Sequence, residues 1–383
     1  KKKNHHLHGT NNVQTIANVS LLRGMVGRRQ AGLMPIRGHS NVQGLGSVGV
    51  TPGLKQAMLE RLESKLGIQV PTTPGYDTMA CMEASHKGEI DFAFCLGGNL
   101  YGSNPDTKYA FEAMSRIKTI LYLSTTLNTG HVWGTGEETL ILPVLPRDEE
   151  PQSTTQESMF SYVRMSDGGK SRYEGPRSEV SILAAIGQKL FAGDNRIDWK
   201  KLESHSAIRE LIADLIPGYE NMHQTIESNK EFHVTGRAVA EYQFPTESGK
   251  AKFHAIPLPE IPVDDNQLRL MTVRSEGQFN SVVYDDEDIY RGQERRDVIL
   301  MNRADIDRLG LKPDQRVKVK SEAGEMPYIL VREFDVRAGN ALMYYPEAIF
   351  LSRTPSIRSR KPPGSNQRGL RWKWKRRFKL RLS

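Results

Sequence analysis

The chain has 383 residues, 38% hydrophobic and 26% charged, with a formal charge of +8 at pH 7. That length suits two or three domains and excludes a fibrous or miniature protein. No apolar run reaches the roughly 18 residues that mark a membrane span, so none is expected. The charge is uneven: 12 of the 53 Lys and Arg fall between Arg353 and Ser383, which holds no Asp or Glu. Residues 1–352 therefore carry 41 basic against 45 acidic side chains, a net of −4. A mildly acidic body precedes a basic tail that could hold nucleic acid or an anionic membrane by non-specific charge, and only there.

Cys81 and Cys95 are the only cysteines. Two thiols support neither a disulfide framework nor a four-thiolate iron–sulfur cluster, and a reducing, cytoplasmic compartment is the simplest expectation. Both read as small buried residues. The start, Lys1-Lys2-Lys3-Asn4-His5-His6, has no initiator Met and no signal-peptide apolar core, so the chain is expected to begin inside a longer protein.

Apolar spacing predicts a helix over Val13–Leu22, ended by Gly24, and a second over Leu54–Leu66, opened by Pro52. Between them runs a glycine-rich loop, Gly27 to Gly53. A helix near Thr78–Lys87 leads to a short apolar strand, Asp91–Leu96, that stops at Gly97-Gly98-Asn99. A helix from Pro105 to about Arg116 follows, then a strand over Lys118–Leu123 ending at Ser124-Thr125-Thr126-Leu127-Asn128, then a third over Thr139–Leu142. Strands alternating with helices imply a parallel, Rossmann-like sheet with ligands bound beyond its carboxyl edge.

Arg147 to Gly175 is polar and reads as a surface loop, with helices over Ser178–Leu190 and Ser206–Leu215 beyond it. Pro257–Pro262 can be neither helix nor central strand and marks a linker between residues 1–256 and a domain of residues 263–348. There the pattern shifts to short strands, Leu268–Val273, Asp297–Met301, Arg316–Lys320 and Pro327–Val331, with one helix at Arg303–Leu309. Such runs suggest a small barrel. Residues 349–383 form the basic tail, expected to be disordered.

Gly44-Leu45-Gly46-Ser47-Val48-Gly49 matches the dinucleotide fingerprint, but the polar Arg37-Gly38-His39-Ser40-Asn41-Val42-Gln43 before it makes no strand, and the NAD-dependent reading is weak. Arg37 to Gly44 itself gathers a cation, an imidazole, two amides and two glycines, and suits an anion; a polar loop is the plain alternative. The strand ends at Gly97–Asn99 and Ser124–Asn128 offer small residues, hydroxyls and amides without Lys. They suit a base or ribose, or are ordinary turns. Arg274-Ser275-Glu276-Gly277-Gln278-Phe279-Asn280 could read a planar heterocycle by its edge, or be a solvated strand end. Arg147-Asp148-Glu149-Glu150 and Asp285-Asp286-Glu287-Asp288 lack EF-hand spacing and read as solvated faces. His5, His6 and His8 are not expected to be ligands.

In order along the chain, His8–Gln14, Leu21–Gly27, Pro35–Gly44, Leu96–Pro105, Ser124–Thr129, Glu138–Pro143, Met271–Asn280 and Tyr290–Leu300 resemble the molybdopterin oxidoreductase family, in its formate dehydrogenase alpha subunit-like branch. The resemblance covers about residues 5–348 and implies the α/β region followed by a double-psi β-barrel. It implies a bis(molybdopterin guanine dinucleotide) cofactor with molybdenum or tungsten, and two-electron chemistry on a small substrate with an unknown electron partner. By the same resemblance, Arg37 faces the substrate carboxylate and His39 lies close by. Gly97, Gly98, Asn99 and Ser124, Thr125, Thr126, Leu127, Asn128 are implied to hold one guanosine–pterin unit. Arg274, Ser275, Glu276, Gly277, Gln278 and Asn280 are implied to contact the pterin.

No metal ligand is identified, because the family's amino-terminal ligand would lie before Lys1; the fragment alone is expected to be inactive. His39 stands where well-known formate dehydrogenases have an amide, which argues against formate. The resemblance stops after Tyr344-Tyr345-Pro346-Glu347-Ala348, and a shifted reading frame is the expected cause. The contrasting reading is a non-catalytic remnant whose basic tail, with Trp372 and Trp374, binds nucleic acid or an anionic membrane.

Overall fold

A computed structural model describes residues 9–28, 30–35, 40–104, 106–159, 161–227, 230–234, 244, 246–258, 267–275, 287–321, 324–345, 347–351 and 379–382. Four helices come first: α1 (Gly9–Leu22), α2 (Val42–Ser47), α3 (Gln56–Leu66) and α4 (Thr78–His86). Strands and helices then alternate as β1 (Phe92–Leu96), α5 (Leu100–Ser103), α6 (Thr107–Met114), β2 (Thr119–Ser124), α7 (Thr129–Trp133) and β3 (Glu138–Pro143). The three strands form one parallel sheet in the order β1-β2-β3, with Phe92 opposite Thr119 and Thr119 opposite Glu138.

Alternation along β2 sends its side chains to two cores. Ile120 and Tyr122 join Met82 of α4 and Ala110, Ala113 and Met114 of α6, all nearly inaccessible. Leu121 and Leu123 face Ile182 of α8 (Glu179–Leu190) on the other side. Each large apolar side chain fully buried in this way contributes on the order of 1.5–3 kcal/mol. Because β2 is central and covered on both faces, its carboxyl end at Ser124 is held firmly, as is the end of β1 that pairs with it. On β1, Phe92, Phe94 and Leu96 stay exposed on the outer face.

The stretch expected to be a surface loop is instead structured. β4 (Thr154–Glu157) and β5 (Tyr162–Ser166) pair antiparallel and β6 (Phe232–His233) joins β5. Long-range partners override the weak local pattern here: Val163 packs with Leu215, Ile216, Tyr219, Met222 and Ile226, around α9 (His205–Leu215) and α10 (Met222–Glu227), and Leu62 of α3 joins them.

The second region is a closed six-stranded barrel, as expected. It comprises β7 (Leu268–Val273), β8 (Val298–Met301), β9 (Arg316–Lys320), β10 (Glu325–Glu333), β11 (Asn340–Tyr344) and β12 (Lys379–Leu382), with α11 (Arg303–Arg308) between β8 and β9. β7–β11 and β8–β10 are parallel pairs in an otherwise antiparallel barrel. Ile299 and Met301 fill one core with Leu268, Leu270, Val317, Val319, Val331 and Met343. Val298 and Leu300 point the other way, into a cluster with Val273, Leu342 and Tyr344.

Of residues 349–383, expected to form a basic tail, only 349–351 and 379–382 are described. Glu347–Leu351 forms a 3-10 turn, and β12 pairs with β7 and β9. Closing a barrel satisfies edge hydrogen bonds that local composition does not report.

Candidate functional site

The carboxyl ends of β1 and β2 lie side by side. After β1, Gly97 and Gly98 take φ of +64° and +73°, and a side chain added to either would meet nothing within 4 Å. Consecutive left-handed residues require glycine, and here they leave a bare, exposed backbone ledge. Asn99, only 6% exposed, caps α5: its Oδ1 accepts the Gly102 N–H at 2.7 Å. Its Nδ2 donates to the Thr129 hydroxyl at 2.9 Å, in the neighbouring turn.

The second turn mirrors the first. Asn128 caps α7 by accepting the Gly130 N–H at 2.8 Å, and its Nδ2 donates to the Gly98 carbonyl at 3.1 Å. Its own N–H donates to Nδ1 of His131 at 2.9 Å. A ring that accepts at Nδ1 carries its proton on Nε2 when neutral. That Nε2 is buried without a hydrogen-bond partner among the described residues, and burial holds the His131 pKa below the usual value. Gly130 makes this possible, since a Cβ there would sit 2.5 Å from Oδ1 of Asn99.

Both asparagine amides are thus engaged with the protein itself. What the two turns offer a ligand is the Gly97–Gly98 backbone, the exposed Thr125 and Thr126, and Leu127, which is 75% exposed. Ser124 is buried and donates to the Thr126 carbonyl at 2.8 Å, shaping the turn.

The barrel reaches this edge through Tyr345, which follows β11. Its hydroxyl donates to the Gly102 carbonyl at 2.7 Å, and its ring lies 4.5 Å beneath the Arg274 guanidinium. Arg274, at the end of β7, is exposed and has no carboxylate partner among the described residues. Ser275 beside it is buried. Three of the corners singled out in the sequence, Gly97–Asn99, Ser124–Asn128 and Arg274–Ser275, therefore come together. Glu276, Gly277, Gln278 and Asn280 lie outside the described residues, as do Arg37 and His39, and also His5, His6 and His8.

The neighbourhood of the Arg37–His39 loop is described. Arg147 donates to the Ser40 hydroxyl at 3.1 Å and to Gln156, Thr154 and Ser166, all of them neutral. Oδ1 of Asn41 accepts the Glu157 N–H at 3.0 Å. Gly44 lies inside α2 and is buried, and a Cβ there would fall 2.0 Å from Oδ1 of Asn41. It makes room for that side chain. No strand precedes α2 among the described residues, so Gly44–Gly49 lacks the strand–turn–helix setting a dinucleotide fingerprint needs.

The carboxylate clusters are solvated only in part: Asp148 and Glu287 are exposed, but Glu149, Glu150 and Asp288 are buried, and Asp285 and Asp286 lie outside the described residues. Glu149 is buried and accepts both the backbone N–H and the guanidinium of Arg172, and that backbone bond, with the guanidinium, holds its carboxyl below the usual range. Asp288 is 1% exposed. It accepts from the Tyr344 hydroxyl at 2.7 Å and from Arg291, whose guanidinium also donates to the Arg274 carbonyl at 3.1 Å. Burial opposes its ionisation, but Arg291 and Tyr344 outweigh it and hold the carboxyl below the usual range. Asp288 thus buttresses the strand end carrying Arg274, a role the run of four acids did not suggest. Cys81 is exposed, not buried, and Cys95 is half-buried with its thiol pushed up to about 11 by burial.

The molybdopterin dinucleotide binding domain model matches residues 268–360, which hold β7 to β11 of the barrel and the 3-10 turn after them. An uncharacterised oxidoreductase of Mycobacterium tuberculosis is 33% identical over 360 residues, covering 89% of this chain and 46% of that protein. A putative formate dehydrogenase of Staphylococcus haemolyticus is 22% identical over 222 residues, covering 56% of this chain and 21% of its own length. The carboxy-terminal region of the chain belongs to the molybdopterin oxidoreductase family. The chain spans about half the length of the mycobacterial relative. The acetylene hydratase of Pelobacter acetylenicus shares the family's fold with it, at a TM-score of 0.50 and 12% identity over 76% of this chain and 44% of that one.

The residues present fit the organic part of a molybdopterin cofactor. A bare glycine ledge lets a bulky ligand approach the backbone, two hydroxyls can bond sugar or heterocycle, and one guanidinium, without a carboxylate partner among the described residues, suits an anionic group. Among the described residues no group of three metal-ligating side chains gathers. No described helix is long and apolar enough to cross a membrane.

Proposed function

We propose that this chain is part of a molybdenum- or tungsten-dependent oxidoreductase that carries out two-electron chemistry on a small anionic substrate. Its cofactor would be bis(molybdopterin guanine dinucleotide), which supplies a metal able to take up or release two electrons. In this reading the Gly97–Gly98 ledge, with Thr125 and Thr126, seats one guanosine–pterin unit. Arg274 closes on it from the barrel, together with Ser275, Glu276, Gly277, Gln278 and Asn280.

Arg37 grips the substrate carboxylate by paired charge-assisted hydrogen bonds, and His39 holds it or relays a proton. Arg147 and Asn41 anchor the loop that follows them. A histidine at position 39 makes formate itself a poor candidate. The observation that carries the proposal is the convergence of Gly97–Asn99, Ser124–Asn128 and Arg274 on one edge, joined through Tyr345. A small-molecule electron donor or acceptor, or a partner protein, completes the cycle.

The test is made on the complete polypeptide, expressed where the cofactor is synthesised. Metal, pterin and released guanine nucleotide are counted per chain, and turnover is assayed with Arg37→Lys alongside. Stoichiometric pterin with an impaired KM in the variant supports the proposal. A pterin-free native protein, or loss of metal in Arg37→Lys, contradicts it.

A further inference from the structure

Tyr345 is bonded at every polar group it owns. Its N–H donates to the Val273 carbonyl at 2.7 Å, its carbonyl accepts from Arg296 at 2.8 Å, and its hydroxyl donates to Gly102 at 2.7 Å. Arg296, only 9% exposed, is in turn paired with both oxygens of Glu347 at 2.9 Å each. The aromatic ring between these bonds has little freedom, and it is this ring that Arg274 covers.

On the far side, Gly102 is bonded twice: its N–H to Asn99, which caps the ledge helix, and its carbonyl to Tyr345. A short covalent and hydrogen-bonded path therefore runs from the Gly97–Asn99 turn through Gly102 and Tyr345 to the Arg274 guanidinium. A cation on an aromatic face keeps its N–H edge directed outward, and that edge meets no carboxylate among the described residues.

We propose that Tyr345 is a positioning residue for the cofactor. Its hydroxyl fixes the spacing between barrel and parallel sheet, and its ring holds Arg274 with the N–H edge ready for an anionic or carbonyl group of the dinucleotide. This rests on the function proposed above. Tyr345 does not itself touch the ligand; it makes Arg274 and the Gly97–Gly98 ledge act as one site.

The test uses the complete, cofactor-loaded protein with Tyr345→Phe, Tyr345→Leu, Arg274→Gln and the Leu/Gln double variant, and follows the rate at which pterin and guanine nucleotide are lost on dilution. Thermal unfolding of each variant identifies any loss due only to misfolding. Tyr345→Phe keeps the ring and removes one hydroxyl bond, so release quickens by about five- to tenfold. Tyr345→Leu removes the platform as well and releases faster still, and adding Arg274→Gln to it changes little, because the guanidinium has already lost its support. Unchanged release in Tyr345→Leu, or effects of Leu and Gln that simply multiply, would overturn the inference. A native protein that carries no pterin would overturn the proposed function first, and this inference with it.

Discussion

Asn99 sends its side-chain amide to the Thr129 hydroxyl at 2.9 Å, from one strand-end turn into the next. Asn128 returns the connection by donating to the Gly98 carbonyl. The two turns are therefore one braced unit, and Asn99→Ala should cost about 1–2 kcal/mol, because it leaves the Gly102 N–H without its cap and Thr129 without its donor. Asn99→Asp keeps the acceptor for Gly102 and lets the Thr129 hydroxyl donate instead, so it should cost less. Denaturant unfolding of the two variants checks the order; equal losses would mean the brace contributes little.

Gly130→Ala places a methyl group against both caps, 2.5 Å from Oδ1 of Asn99 and 3.0 Å from Oδ1 of Asn128. Overpacking of this kind costs about 1–3 kcal/mol. In a double variant with Asn99→Ala the penalty should shrink, since the nearer clash is gone. Simple additivity would contradict the geometry.

His131 gives the braced unit a pH dependence of definite sign. Burial lowers its pKa in the folded chain below the 6.5 of the free side chain. As pH falls through 6.5 the unfolded chain takes up a proton that the folded chain does not, so this contribution to stability is present at neutral pH and is lost on acidification. Protonation at Nδ1 would also cost the bond from the Asn128 N–H. Unfolding free energies measured from pH 8 to pH 5 should fall, and fall less in His131→Gln. An identical slope in the variant would exclude His131 as the source.

Asp288 titrates lower. Its folded pKa lies below the usual 3.8, so its contribution is present above that value and disappears as pH falls through the lower folded one. Asp288→Asn removes the charge that Arg291 pairs with while leaving Tyr344 an acceptor. Breaking a buried pair from one side costs about 3 kcal/mol. Tyr344→Phe should cost about 1 kcal/mol, the usual worth of a single hydrogen bond. Chemical denaturation of the two variants distinguishes these magnitudes.

The strongly periodic parts of this fold were legible in the sequence. The ends of β1, β2 and β3 fall within one residue of expectation, as do those of β7, β8 and β9, because apolar runs bounded by Gly, Asn and Ser define them locally. β4 and β5 were not legible: Thr154–Glu157 is polar and becomes a strand by pairing with β5, which is itself held by β6, far along the chain. β11 and β12 depend on barrel closure in the same way. At the site, the positions of the three corners followed from strand ends, but the use of the side chains did not. Asn99 and Asn128 look like ligand-reading amides until their caps are seen, and Asp288 looks like a surface acid until Tyr344 and Arg291 are placed around it. Tyr345 left no local signal at all, since its partner is Gly102, 243 residues away.

Backbone hydrogen exchange on the complete protein, with and without its pterin cofactor, tests most directly whether the two halves of the site share one ligand. Amides at Gly97–Asn99, Ser124–Asn128 and Arg274–Ser275 should all slow together when the cofactor is present. Protection confined to the parallel-sheet turns, or to the barrel, would mean that these corners do not enclose a common guest.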